Sequence, residues 1–255
     1  MALLIDGLVS GVEEVVQVDS GVIDVARAEC ISVDDKLNLA QRDCELRITQ
    51  FVVNNGLEFR LGVANQNPRL DRIVVTDGLK RWFCLHMLQL LYSDAYYRSL
   101  NDRYSRKYGH FQVLASDAWE RYTDSGVAGV YNPIRRGEIL RVDINPIPVG
   151  AGTYRAAIAW VDAVGGMGAA SDTVSISIGS GEGFTVFPGA TLSNVVAYNV
   201  YVGVDGSPLY RQNISPVELN SSYSISAFAQ GNGNPTVPVQ VIDFVLRKSR
   251  MFTRG

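Results

Sequence analysis

The sequence predicts an α+β chain of more than one domain: an N-terminal antiparallel helical bundle, then a β-sandwich, then a short C-terminal tail. Three observations carry this. Between about 32 and 122, apolar residues recur at spacings of three and four, the period of one helix face. Between about 139 and 228 they alternate with period two, in short runs closed by Gly, Pro, Asn and Ser, as half-buried strands do. The charge shifts along with the pattern. From Val142 to Asp243, two basic residues (Arg155, Arg211) stand against seven acidic ones, and beyond Asp243 come Arg247, Lys248, Arg250 and Arg254 with no acid.

At 255 residues the chain has room for about two domains of ~100–200 residues each. The expected boundaries give a helical domain over 1–136, a sandwich over 137–243 and a basic tail over 244–255. A net charge of −3 argues against nucleic-acid binding by bulk charge. The three cysteines, Cys30, Cys44 and Cys84, show no C-x-x-C spacing and read as buried, reduced thiols with no metal. The N-terminus lacks a basic leader, and no run approaches the ~18 apolar residues of a membrane span, so folding in the cytoplasm is expected.

Taken in order, residues 2–31 hold short apolar runs between glycines and suit a short helix or strand plus loop. A helix is expected over about Ser32–Val53. Ser32 with Asp35 makes its capping signal, Leu37, Ala40, Cys44, Ile48 and Phe51 make its buried face, and Asn54-Asn55-Gly56 makes a stop. Residues 57–75 are a connector with a possible hairpin around Leu57–Val63. A second helix starts at Thr76. Leu79, Phe83, His86, Leu90 and Tyr97 lie on one side and Trp82, Leu85, Met87 and Leu91 on the other, so it is apolar all round and central. A third runs from about Ser99 to Tyr122, with Leu100, Tyr104, Tyr108, Phe111, Ala115, Ala118 and Tyr122 on one face; pattern alone does not say whether it joins the second.

Three glycines and Pro133 make Ser125–Gly137 the expected hinge. Strands are then expected at about 139–145, 153–162, 172–178, 184–187, 195–203, 208–214 and 222–228, enough for a sandwich of ~100 residues. Tyr154, Ala156, Ile158 and Trp160 share one strand face; Val174, Ile176 and Ile178 a second; Val196, Tyr198, Val200 and Val202 a third. Asp205-Gly206 sits where a two-residue type I′ hairpin needs positive φ. Gln230–Pro235 reads as a polar turn, and Val237–Val245 as a last strand or an extended exit.

The runs G-T-Y-R-A-A-I-A-W-V-D, S-D-T-V-S-I-S-I and A-Y-N-V-Y-V-G-V-D-G-S-P-L-Y-R resemble the fibronectin-III/immunoglobulin-like modules of tailed-phage structural proteins. The segment from L-K-R-W-F-C-L-H-M-L-Q-L-L-Y to D-A-W-E-R-Y-T-D-S-G-V-A-G-V-Y-N-P-I resembles the helical core of phage head–tail connector (neck adaptor) proteins. That resemblance implies a ring, dodecameric in the family, that joins the portal to the tail and lets genomic DNA pass without specific binding. Its partners would be the portal protein and neighbouring neck or tail proteins, with no membrane, no cofactor and no enzymatic activity. It also implies a portal-binding C-terminal tail, here carrying Arg247, Lys248, Arg250, Met251, Phe252 and Arg254. Simple adaptors lack a sandwich, so in this chain it would be an insertion between bundle and tail.

Chemistry-bearing patterns are few. Two histidines, His86 and His110, give poor support to a catalytic triad, and no P-loop, nucleophile elbow or H-E-x-x-H motif occurs. His86 on the central helix reads as a hydrogen-bonded core residue and His110 as partly exposed packing. G-S-G-E-G at 179–183 leads into a strand, so it reads as a turn, since a phosphate cradle wants a helix behind it. Glu13-Glu14 and Asp34-Asp35 are carboxylate pairs, the second in a helix first turn where acids favour the dipole. The aromatic set Trp82, Tyr92, Tyr96, Tyr97, Tyr104, Tyr108, Trp119, Tyr122 and Tyr131 serves as core, with a share open to subunit interfaces. A rival expectation is a baseplate or surface module whose sandwich grips a receptor or glycan through Phe187, Tyr201, Tyr210, Tyr223 or Phe228.

Overall fold

The computed structural model describes residues 2–55, 70–99, 102–189, 193–228 and 239–248. The chain is mixed helix and sheet, with antiparallel strand pairing throughout, and divides into two compact units. One comprises Leu4–Tyr131 together with the chain from Ile242 onward; the other comprises Asn132–Val241 together with the residues up to Leu3.

The first unit is helical. A 3₁₀ turn, Leu4–Asp6, leads into α1 (Val12–Val18) and α2 (Val22–Ala28), which settles the ambiguous 2–31 as two short helices. Then comes α3 (Val33–Asn54), capped as expected by Ser32 Oγ, which accepts from the Asp35 N–H at 3.2 Å. Its predicted face (Leu37, Ala40, Cys44, Ile48, Phe51) is buried. The stop works differently from expectation. Asn55 has φ −98°, not a left-handed value, and its side-chain amide donates to the Phe51 carbonyl at 2.7 Å. The hairpin expected at 57–63 lies outside the described residues.

Helix α4 (Asp77–Ser99) is buried on both sides, with Leu79, Trp82, Phe83, Met87 and Leu91 all inaccessible, so it is the central helix. Its predicted face fails at the far end, where Tyr97 is 62% exposed. Helix α5 (Ser105–Ser125) is separate and starts later than expected, after a turn at 102–104 in which Ser105 Oγ donates to the Asp102 carbonyl. Trp82 meets Trp119, Tyr92 meets Phe111 and Tyr96 meets Tyr108, so α5 runs antiparallel to α4. Helix α3 is antiparallel to α4 as well, because Lys36 pairs with Asp94, Asp43 with His86, and Arg47 lies over Trp82.

The expected hinge is not a hinge along its first part. Val127–Gly129 forms strand β1, and Val127, Ala128 and Val130 are buried in the helical unit. Glycine-rich composition suggested a linker there, whereas Gly129 answers to close packing: a Cβ on it would lie 2.4 Å from the Phe244 ring.

The second unit holds two antiparallel sheets. One orders β2 (Ile139–Asn145), β5 (Gly183–Pro188) and β9 (Tyr223–Ile225) with β5 central. The other orders β4 (Val174–Ile178), β3 (Gly152–Val161), β6 (Ala197–Val204) and β7 (Tyr210–Arg211), with β8 (Val217–Glu218) also on β6. Tyr154, Ile158, Trp160, Tyr198, Phe184 and Val186 belong to one hydrophobic cluster fed by both sheets, and Ile134 joins it. Val174 and Val196, read as sharing strand faces with Ile176 and Tyr198, are exposed at or just before strand starts, while Ile176 and Tyr198 are buried. The strand expected at 208–214 is cut short for a chemical reason. Asn213 turns inward, its Oδ1 accepting from the Val200 N–H at 2.8 Å and its Nδ2 donating to Asn199 Oδ1 at 2.8 Å, so a side chain takes over the ladder between β7 and β8.

The Asp205-Gly206 turn also differs from its expected form. Gly206 has φ +80°, but Asp205 is not among the residues with positive φ, and the Ser207 N–H donates to the Val204 carbonyl at 2.8 Å. That is type II geometry, with one left-handed position instead of two. Nothing lies within 4 Å of a Cβ built on Gly206, so a substitution there meets backbone strain alone. Gly206→Val is expected to lower stability by about 1–2 kcal/mol, with Gly206→Asn milder. Thermal unfolding measures it, and an unchanged Tm for the valine variant contradicts the turn assignment.

The chain then returns to the helical unit. Phe244–Leu246 forms β10, antiparallel to β1 with Val127 opposite Leu246 and Gly129 opposite Phe244. The segment expected as a free tail from 244 therefore begins inside a strand.

Candidate docking surface

The root of the predicted portal-binding tail is fixed firmly. The Asp243 N–H donates to the Gly129 carbonyl at 3.0 Å, and Asp243 Oδ2 accepts from the Tyr131 N–H at 2.8 Å. Phe244 packs on Tyr131 with ring centroids 4.9 Å apart, and Leu246 is buried in the helical core cluster. Of the six predicted site residues, Arg247 and Lys248 leave this strand exposed, and Lys248 Nζ pairs with Asp124 Oδ1 at 3.1 Å. Arg250, Met251, Phe252 and Arg254 lie outside the described residues. The return strand was missed as an anchor; the apolar run to Val245 was its one signal, and that run reads equally well as an exit.

The titratable side chains form structural ties. His86 Nε2 lies 2.7 Å from Asp43 Oδ2, and its ring stacks on Trp82 at 5.2 Å. Arg47 sits over both Trp82 and Trp119, at 5.5 and 5.6 Å, so α3 grips the aromatic seam of α4 and α5 through its guanidinium. His110 is exposed and touches Phe111 edge-on. Burial pushes the Cys44 thiol up to about 12 and raises that of Cys84. Cys30, expected buried, is exposed at φ +52°. Among the described residues no cluster of three or more His, Cys, Asp or Glu is placed to hold a metal ion. The carboxylate pairs occupy the first turns of α1 and α3, and Glu14 accepts from the Gly11 N–H at 2.7 Å and from Lys80 at 2.8 Å. The 179–183 run is a tight turn into β5, with Gly181 at φ +84° and Glu182 Oε2 accepting from the Gly179 N–H.

One network spans three helices. Asp19, just past α1, accepts from Tyr92 Oη at 2.6 Å, Lys107 Nζ at 2.8 Å and the Gly21 N–H at 3.1 Å. Burial opposes ionisation of Asp19, but these donors together outweigh it and hold the carboxyl below its ordinary range. Burial, then the bond to Asp19, pushes the Tyr92 phenol up to about 12. With its folded pKa depressed, Asp19 contributes stability that is present above the unfolded value of ~3.9 and is lost as pH falls through the folded one. Asp19→Asn is therefore expected to lower stability at neutral pH and to flatten its dependence on pH below about 4. Urea unfolding at a series of pH values measures both; an unchanged acid slope contradicts the network.

The aromatic set divides by exposure. Trp82, Tyr92, Tyr104 and Tyr122 are buried, Tyr96, Tyr108 and Trp119 are half-buried, and Tyr97 and Tyr131 are exposed. Of the five aromatics considered for a glycan site none is exposed: Tyr201 is buried, Arg141 covers Phe187 at 4.3 Å, and Tyr223 donates to the Gln212 carbonyl at 3.0 Å. No described helix is long and apolar enough to cross a membrane. No protein-family model matches the chain, and no curated protein matches its sequence.

Proposed function

We propose that this chain is a structural virion protein of a tailed-phage neck, an adaptor whose helical unit assembles side by side into a ring against the portal. In this reading the sheet unit is an immunoglobulin/fibronectin-III-like sandwich inserted into the adaptor, and the basic tail from Arg247 is the portal-binding element. The observation that carries the reading is the return of β10 to β1. It roots the tail on the helical unit, from which an adaptor's C-terminal segment departs, even though about 110 residues of sheet unit intervene. Two antiparallel sheets that share one cluster, with Tyr154 of β3 and Phe184 of β5 5.9 Å apart between ring centroids, support the sandwich assignment. A mildly acidic chain suits a channel through which DNA slides without being held.

Size-exclusion chromatography with negative-stain imaging, alone and with a portal, tests the reading. Rings that bind portal are expected, and a monomer that neither assembles nor binds portal overturns it. A chain ending at Leu246 keeps β10 and is expected to melt like the full chain while losing portal co-purification. Undiminished assembly onto portal removes the tail from the interface and moves docking to the bundle.

A further inference from the structure

A cleft of about 390 Å³ in the helical unit is bounded by the start of α4, the end of α5 and the return strand, on the face of the β1–β10 pair that carries Ala128 and Val245. Ala118, Tyr122, Ala128, Ile242 and Val245 make most of its wall apolar. Among the described residues β10 pairs with β1 alone, which leaves its second edge open. Such edges are ordinarily blunted by brevity, charge, proline or a bulge. At three residues β10 is short and is flanked by Asp243 and Arg247, but Phe244–Leu246 itself is uncharged, lacks proline, pairs in continuous register, and leaves Val245 48% exposed.

Three arginines surround this opening. Arg81 and Arg121 line the cleft, and Arg247 follows β10 directly, its Cγ 3.0 Å from where a Cβ on Gly126 would stand in the cleft wall. None of the three forms an ion pair with another described residue. The nearby Asp124 is already engaged by Lys248, and the acids in the sequence around the cleft are Asp77 at the start of α4, Asp117 one turn before Arg121, and Asp243, whose carboxylate accepts from the Tyr131 N–H.

We propose that this is a strand-addition site for an extended, acidic segment of a partner polypeptide. The segment's backbone would continue the sheet at β10, a small apolar side chain would enter the cleft, and flanking carboxylates would meet Arg81, Arg121 and Arg247 in charge-assisted, fork-shaped pairs. A nucleic-acid backbone matches the arginines but neither the apolar wall nor the strand edge, since a phosphodiester chain offers no main-chain amides. The inference does not rest on the neck assignment, which places the portal contact on the tail from Arg247 onward; the two share Arg247 alone.

The test uses the full chain and a fluorescent, blocked peptide of alternating glutamate and valine. It is compared with the same peptide N-methylated at alternate residues, with a lysine–valine peptide, and with a short DNA duplex. Anisotropy titration is expected to show saturable binding of the glutamate peptide within ~1 mM, weakened at least about tenfold by N-methylation and by Arg81→Glu/Arg121→Glu. Both arginines are exposed, so an unchanged Tm for that double variant is expected alongside. The lysine peptide is expected not to bind. Failure of the glutamate peptide to bind overturns the proposal, as does binding indifferent to N-methylation or to the arginine variants. Preference for the duplex through the same arginines replaces a strand partner with a phosphate one.

Discussion

Replacing Trp82 by alanine is expected to remove about 3–5 kcal/mol from the helical unit, the largest loss of any single truncation proposed here. The side chain is inaccessible and sits where three helices meet. Trp119 of α5 tilts against it at 4.8 Å, His86 stacks on it at 5.2 Å, and Arg47 of α3 lies 5.5 Å over its face. Truncation leaves a cavity lined by rigid rings that cannot collapse, and it strips one of the two faces that hold Arg47. Denaturant unfolding followed by the helical circular dichroism signal measures the loss. A change below about 1 kcal/mol would mean that α3, α4 and α5 do not close around this residue.

Gly137→Ala separates two accounts of the residues after α5, and the accounts differ in sign. A glycine in a free hinge gains about 0.4–1 kcal/mol of stability on conversion to alanine, because the unfolded chain loses freedom. The structure leaves no room for the methyl group. A Cβ on Gly137 would lie 2.2 Å from the Ile158 carbonyl oxygen and 2.9 Å from its carbon, and the Gly137 N–H is committed to the Ala169 carbonyl at 3.0 Å. The obstacle is backbone of β3 within the core, not a side chain free to swing aside. A loss of at least about 1–3 kcal/mol is expected, with faster hydrogen exchange across 152–161. Stabilisation by the alanine would restore the hinge.

How much of this was legible follows from which contacts were local. The Ser32 cap, the buried face of α3 and the Tyr154–Trp160 face of β3 are written in residues a few positions apart, and the structure has them as read. Tyr97 was misplaced because a helical period marks a face and not its cover: its ring meets Tyr96 and Tyr108 edge to face and stays open to solvent. Asn213 looked like strand and is a side chain serving as ladder, a role that shows only once β6 lies beside it. The failure at Ser125–Gly137 had the same source. Glycine reads as freedom when neighbours are unknown, yet Gly129 and Gly137 are both places where a strand or ring from far along the chain comes too close for a Cβ. For the site, the charge of the tail was visible in the sequence and its anchorage was not, because the strand that fixes it finds its partner more than a hundred residues upstream.

The pairing of β10 with β1 also decides how force travels through the protein. Covalently the sheet unit lies in series between the helical unit and the tail. Mechanically the two strands shunt it: tension on the tail passes from β10 across to β1 and into α5, bypassing 132–241 while the pair holds. Because the strands are antiparallel, the tail end of β10 lies beside the α5 end of β1, so pulling opens the pair from that end one rung at a time. Buried Leu246 is the first rung, and the Lys248–Asp124 ion pair stands just ahead of it as a latch. Once the latch and the rungs have opened, the load runs through 132–241 as well, and a short coupling becomes a longer one.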